Sequence, residues 1–178
     1  EGTQATLGEI LAADSGVNVK QNPDDLQEVQ NYIKALDYGI KRLQELPLSL
    51  RLIKEIHESL MQGVRGSHAT PGEFRRTQNW IGSPGCTLNT AKFVPVPPDH
   101  LMDALSELER FLHNRQLPPL IHIALCHYQF EAIHPFSDGN GRTGRILLLL
   151  QLKLEQLLDI PALFLSEYII NQKDKYYE

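Results

Sequence analysis

The chain has 178 residues, 42% of them hydrophobic and 22% charged, with a formal net charge of -5. That balance fits one globular domain with a real core and not a disordered chain. It also argues against a sequence-independent grip on nucleic acid, which needs lysine and arginine gathered on one face, so no nucleic-acid partner is expected for this domain. Cys86 and Cys126 stand at no metal-ligand spacing and read as free thiols in a reducing compartment. The longest pure apolar run, Ile146 to Leu150, is far shorter than the roughly 20 residues that span a bilayer. The expectation is a cytoplasmic protein with no membrane contact. A first residue of Glu1 and a closing "SEYIINQKDKYYE" without a stop signal suggest a fragment of a longer protein.

In chain order the predicted elements are helices. From Asp24 to Leu46 the apolar residues Leu26, Val29, Ile33, Leu36, Ile40 and Leu43 recur at threes and fours, and Pro47 closes the run. Ser49 is placed to cap a second helix through Leu52, Ile53, Ile56 and Leu60. Between Gly63 and Pro98 lies one long non-helical region, and a connection of that length inside a helical domain is usually functional or mobile. Within it "CTLNTAKFVPVPP" predicts a short hairpin with Lys92 to Val96 as the return strand, kept at an edge by its prolines. Arg75 and Arg76 in the same region read as a solvated surface pair, and Trp80 and Ile81 as fasteners of the loop. A third amphipathic helix follows through Leu101, Met102, Leu105, Leu108 and Leu112. "PPLIHIALCHYQFEAI" and "RILLLLQLKLEQLL" are apolar on most faces and predict the central helices of a bundle. His122 and His127 on the first of these read as core histidines, since their spacing to His134 puts the three on no common face.

Between those two segments sits "HPFSDGNGRTGR", His134 to Arg145. Gly139-Asn140-Gly141 can turn successive N–H groups inward immediately before a helix, which makes an anion nest joined to a helix N-terminus. Arg142 and Arg145 lie one turn apart and can face the same anion, so the ligand expected is one with several phosphates. Asp138 is a hard oxygen donor that phosphate oxygens would complete into a Mg²⁺ shell. His134 is the one group here able to take a proton near neutral pH and activate a hydroxyl. Phe136, between the polar positions, would pin the loop into the core. A lone Gly-x-Gly is usually a plain turn. Here base, acid, nest and two arginines coincide in order.

His134 through Arg145 matches in full the motif H-x-F-x-D/E-G-N-G-R-x-x-R of the Fic (filamentation induced by cAMP) family, and the chain resembles bacterial Fic/DOC-type proteins further out, at "GEFRRTQNWIG", "FVPVPP" and "HYQFEAIHPF". The resemblance implies an all-α Fic-fold bundle with a short β-hairpin flap, in which residues 1–48 form an N-terminal helical segment and 49–178 the Fic core. It implies an enzyme, a protein adenylyltransferase that transfers AMP from ATP to a Tyr, Ser or Thr hydroxyl of a protein target and releases pyrophosphate. By matched position, His134 would be the general base and Asp138 the Mg²⁺ ligand. Gly139, Asn140 and Gly141 would hold phosphates, with Arg142 binding them and steadying developing charge.

Arg145 has a second role by resemblance, as partner of a glutamate from an inhibitory helix with the motif S/T-x-x-x-E-G/N. The candidate is Glu1-Gly2, at the start of "EGTQATL", whose Ser or Thr would lie upstream. Phe93, Val94, Pro95 and Val96 resemble the flap that aligns a target segment by β-augmentation, although Val96 departs from the all-proline run common there. Two alternatives remain open: a relative that removes AMP, and a regulatory module that binds nucleotide without turnover, which would leave His134 without a task. Kinase-like relatives carry Lys where Gly141 stands. A homodimer is a further implication of the resemblance.

Overall fold

The computed structural model describes residues 23–63, 70–83 and 85–159. Five helices carry it: α1 (Pro23–Arg42), α2 (Leu50–Leu60), α3 (Leu101–Leu112), α4 (Pro119–Ile133) and α5 (Asn140–Leu154). Short 3₁₀ turns at Leu88–Thr90 and Pro98–His100 punctuate the long connection. α1 stops at Arg42, short of Leu46, and the chain leaves it through tight turns. The expected cap on α2 is present: Ser49 is extended and its Oγ accepts from Leu52 N–H.

α1 packs on α2, both rest on α5, and α3, α4 and α5 stack in turn. The core is assembled from the predicted stripes: Leu52, Ile53, Ile56 and Leu60 of α2, Leu101, Leu105 and Leu108 of α3, and Ile146, Leu147 and Leu150 of α5 are buried together. α5 is the central helix, with burial on most faces as its composition demands. α4 is not. It buries His122, Ile123, Cys126 and Phe130, while Leu120 and Tyr128 remain 64% and 70% exposed and Ile121 is exposed beside them. Among the described residues α3 and α5 cover only one of its faces, so uniform apolarity marks a helix with a second apolar face.

The predicted hairpin is reduced to a single antiparallel bridge, and its partner differs from the one expected. Phe93 pairs with Ile81 through Ile81 N–H to Phe93 O (2.9 Å) and Phe93 N–H to Ile81 O (3.0 Å). The segment 86–90 turns into 3₁₀ geometry instead of forming a strand, because Thr87 and Thr90 exchange side-chain and backbone hydrogen bonds that close a turn.

α4 and α5 meet closely because Gly144 has no side chain. A Cβ there would stand 2.4 Å from Glu131 Oε1 and 3.2 Å from the rings of His127 and Phe130. Ile56 seals the α1–α2–α5 junction, fully buried, with its Cδ1 against Gly39. Ile56→Ala should therefore lower the unfolding free energy by about 2–5 kcal/mol, read by urea denaturation.

Candidate active site

The motif loop is held from below by Phe136, which is fully buried. The His57 ring stacks on it at 3.7 Å between centroids and 1° between planes, and Phe74 and Phe130 tilt against it. The backbone of Phe136 is fixed at both polar atoms. Asn140 Oδ1 accepts from Phe136 N–H and Asn140 Nδ2 donates to Phe136 O, each at 2.8 Å, and Asn79 Nδ2 donates to the same carbonyl at 3.0 Å. The side chain of Asn140 therefore faces inward and serves the loop, leaving only its N–H for an anion.

His134 ends α4 in the left-handed region, at φ 49° and ψ 62°, a costly conformation for a residue with a Cβ. The surroundings impose it. Its N–H donates to Phe130 O, and its carbonyl accepts from Arg75 Nε at 2.9 Å and from Asn79 Nδ2 at 3.2 Å. Its ring Nδ1 lies 3.3 Å from Glu131 O and can only donate there, so the lone pair sits on Nε2. Burial first, and then the charge of Arg75, lower its pKa from the ordinary histidine value.

Arg75 is the residue whose placement most departs from expectation. It is 4% exposed and no surface arginine. Its guanidinium donates to the carbonyls of His134, Ile133, Thr77 and Val96, and its own N–H donates to Pro135 O at 2.9 Å. One side chain thus ties the motif loop to Val96 at the end of the Phe93–Val96 run. Gln78 adds a bond to Pro95 O, while Phe93 and Val94 stay exposed at the rim.

His57, which carried no signal in the sequence beyond its helical position, is the second brace. Gly72 N–H donates to its Nδ1 at 2.9 Å, so Nε2 carries the hydrogen and donates to Asp138 O at 3.0 Å. Both ring nitrogens are used by the neutral form, and burial pushes the pKa down to about 4.

After Asp138 the chain passes through Gly139 at φ +76°, where a Cβ would stand 2.7 Å from Met61 Sδ. Gly139 is the only left-handed residue of Gly139-Asn140-Gly141, and α5 begins at Asn140. A left-handed residue thus leads directly into a helix N-terminus. The first intrahelical bond is Thr143 N–H to Gly139 O, at 3.0 Å, so the amides of Asn140, Gly141 and Arg142 open the helix ahead of it. Gly139 N–H donates to Asp138 Oδ1 at 2.6 Å, and Arg142 Nη2 lies 3.8 Å from the same oxygen.

Arg142 also meets α1, with Nη1 3.4 Å from Glu28 Oε2. Arg145 runs along Glu131, whose carboxyl burial pushes up to about 7 against the opposing pull of the Arg145 charge. Glu131 Oε1 and Arg145 Nε are buried without a hydrogen-bond partner among the described residues. His127 and His122 are satisfied from α5 and α3, Nδ1 of His127 to Gly144 O and Nε2 of His122 to Phe111 O. Glu1 and Gly2 lie outside the described residues. A groove of about 890 Å³ opens elsewhere, lined by Arg51, Lys54, Glu58, Arg76, Asp99 and Met102 among others, and no side chain of the motif lines it.

The Fic/DOC family model matches residues 47–152, and the Fic/DOC family N-terminal model matches residues 1–41. The chain belongs to the Fic/DOC family. Protein adenylyltransferase Fic of Drosophila grimshawi is 33% identical over 158 residues, which are 83% of this chain and 30% of that protein. The Drosophila melanogaster protein of the same name is 32% identical over the same length, 29% of its own. The chain thus spans less than a third of these relatives. Among solved structures, a Fic family protein from Desulfovibrio desulfuricans superposes with a TM-score of 0.79 at 27% identity, over 98% of this chain and 50% of that one. Fic-1 from C. elegans does so at 0.67 and 26% identity, over 86% and 44%. The all-α Fic architecture is common to them. No helix among the described residues is long and apolar enough to cross a membrane.

Arg75 and His57 generate two expectations. Arg75→Lys, which keeps the charge but cannot span four carbonyls, should cost about 1–3 kcal/mol of stability in urea denaturation. His57 has a depressed pKa in the folded state, so on acidification the unfolded chain takes up a proton first, below about pH 6.5, and the native ring only near 4. Its contribution is whole above pH 6.5 and lost progressively down to pH 4, up to about 3 kcal/mol. Unfolding free energies at pH 7 and pH 4.5 should show that fall, and His57→Gln should show a shallower one.

Proposed function

We propose that the chain carries the nucleotidyl-transfer site of a protein adenylyltransferase, acting on ATP and on a Tyr, Ser or Thr hydroxyl of a protein target. The observation that supports this best is the state of His134: a neutral imidazole, held by Nδ1–H to Glu131 O, with its Nε2 lone pair available beside a helix N-terminus that bears two arginines. That arrangement suits a general base acting next to a polyphosphate.

In the proposed step, Nε2 of His134 takes the proton of the target hydroxyl as its oxygen bonds to the α-phosphorus. The bond from that phosphorus to the bridging oxygen breaks, and pyrophosphate leaves with the electron pair. The amides of Gly141 and Arg142 and the guanidinium groups of Arg142 and Arg145 would hold phosphate oxygens, and Gly139 would let the backbone approach them.

Asp138 fits a Mg²⁺ that shares its shell with phosphates and water. Its side chain is about half exposed, and among the described residues no three His, Cys, Asp or Glu side chains gather into a cage of their own. The ion would neutralise phosphate charge. The exposed Phe93–Val96 run would lay a target segment alongside by main-chain pairing, and Arg75 would keep that run in register with His134. Glu1, followed by Gly2, would restrain the enzyme by pairing with Arg145, residues 1–48 forming the restraining segment and 49–178 the core.

Incubation with Mg²⁺ and ATP, followed by intact-mass measurement, tests the reading. Glu1→Gly should gain an AMP adduct, and Glu1→Gly combined with His134→Ala should bind ATP yet gain none. Undiminished adduct without His134 would overturn its role as base, and an unchanged rate in Glu1→Gly would overturn the restraint. Because the His134 pKa is lowered from 6.5, the basic form prevails at pH 7, so kcat/KM should hold level through neutrality and fall on acidification below pH 6.5.

A further inference from the structure

Arg142 reaches back to Glu28 of α1, outside residues 47–152 that match the Fic/DOC family model and within residues 1–41 that match the N-terminal one. Glu28 is 7% exposed, and its Oε2 lies 3.4 Å from Arg142 Nη1, an ion pair without hydrogen-bond geometry that leaves Nη1 buried with no hydrogen-bond partner among the described residues, while the other terminal nitrogen, Nη2, is turned toward Asp138 Oδ1 at 3.8 Å. The two carboxylates differ. Glu28 is buried between packed helices and cannot swing to solvent, whereas the side chain of Asp138 is half exposed.

The register of α1 is itself fixed one turn further on. Asn31 Nδ2 donates to Gln62 O at 2.6 Å and to Leu60 O at 3.3 Å, and its Oδ1 accepts from Gln27 Nε2 at 2.8 Å. Tyr32, four residues after Glu28, lies in the field of the Arg145 charge. Glu28, Asn31 and Tyr32 therefore form one helical stripe against the motif end of α5 and the end of α2.

We infer that Glu28 is a positioning residue for Arg142. A guanidinium is a planar fork, and an anion held at one terminal nitrogen fixes the direction of the rest. With Nη1 turned to the buried Glu28, the Nη2 side of Arg142 faces the loop where phosphate oxygens would lie. The inference rests on the proposed nucleotide reading of the motif. It makes α1 part of the phosphate site: residues 47–152 alone lack the carboxylate that orients its first arginine.

Tripolyphosphate and Mg-ATP, titrated by calorimetry into the full chain, test it. Wild type should bind both. Glu28→Gln, with a melting temperature close to that of wild type, should bind at least fivefold more weakly, and Glu28→Asp, a methylene shorter, should fall between them. In an Arg142→Ala background the Glu28→Gln change should have no further effect, which a merely structural role would not produce. In ¹⁵N spectra of the unliganded protein, hindered rotation of the Arg142 guanidinium should be seen in wild type and lost in Glu28→Gln.

Equal losses in both backgrounds, or binding within twofold of wild type, would overturn the positioning role while leaving the nucleotide reading intact. Tighter binding in Glu28→Gln would overturn it in the opposite sense, marking Glu28 as a competitor of phosphate. If Glu28→Gln does not fold, Glu28→Asp decides: affinity equal to wild type overturns the role. No binding by wild type would overturn the nucleotide reading and the positioning role together.

Discussion

Burial of one aromatic side chain organises the polar end of this molecule. Phe136 sits in the middle of the motif loop, fully buried, stacked on His57 and flanked by Phe74 and Phe130. Moving it would expose a large apolar surface and also break the amide clamp of Asn140 and Asn79 on its backbone. With Phe136 fixed, His134 and Asp138 two residues to either side have little freedom left. Polar chemistry can stand directly against the apolar run of α5 because the loop is itself anchored in the core.

The clamp brings histidines into dry surroundings, and the hydrogen bonds show how they are kept there. His57 and His134 both use the neutral ring, His57 as acceptor from Gly72 and donor to Asp138, His134 as donor to Glu131. Burial is the leading cause of the lowered pKa in each. The consequence for chemistry is that His134 enters neutral solution already deprotonated. The consequence for stability is a fold that weakens toward acid, because unfolding lets those rings take up protons.

Residues 70–83 of the long connection are a brace and not a spacer. Gly72 reaches His57, Phe74 reaches Phe136, Arg75 reaches four carbonyls, and Asn79 reaches His134 and Phe136. Through Arg75 the same segment joins the motif loop to Val96. A buried guanidinium is expensive to desolvate, and saturating its donors with backbone carbonyls offsets that cost while fixing two loops at once.

Spacing along the chain alone determined the helices of the bundle, the Ser49 cap, the central place of α5, and the start of α5 inside the motif with Arg142 in its first turn. All of these depend on neighbours within a few residues, where helical periodicity and turn chemistry act. Only the tertiary structure decided what supports them. Arg75 read as surface because its four acceptors are carbonyls, which leave no mark in sequence, and three of them lie from 21 to 59 residues away. His57 braces a loop 81 residues further on, and Glu28 meets an arginine in a different helix altogether. The open face of α4 and the pairing of Phe93 with Ile81 were hidden for a related reason: apolarity gives the number of faces a segment can bury, and only packing gives which neighbours cover them.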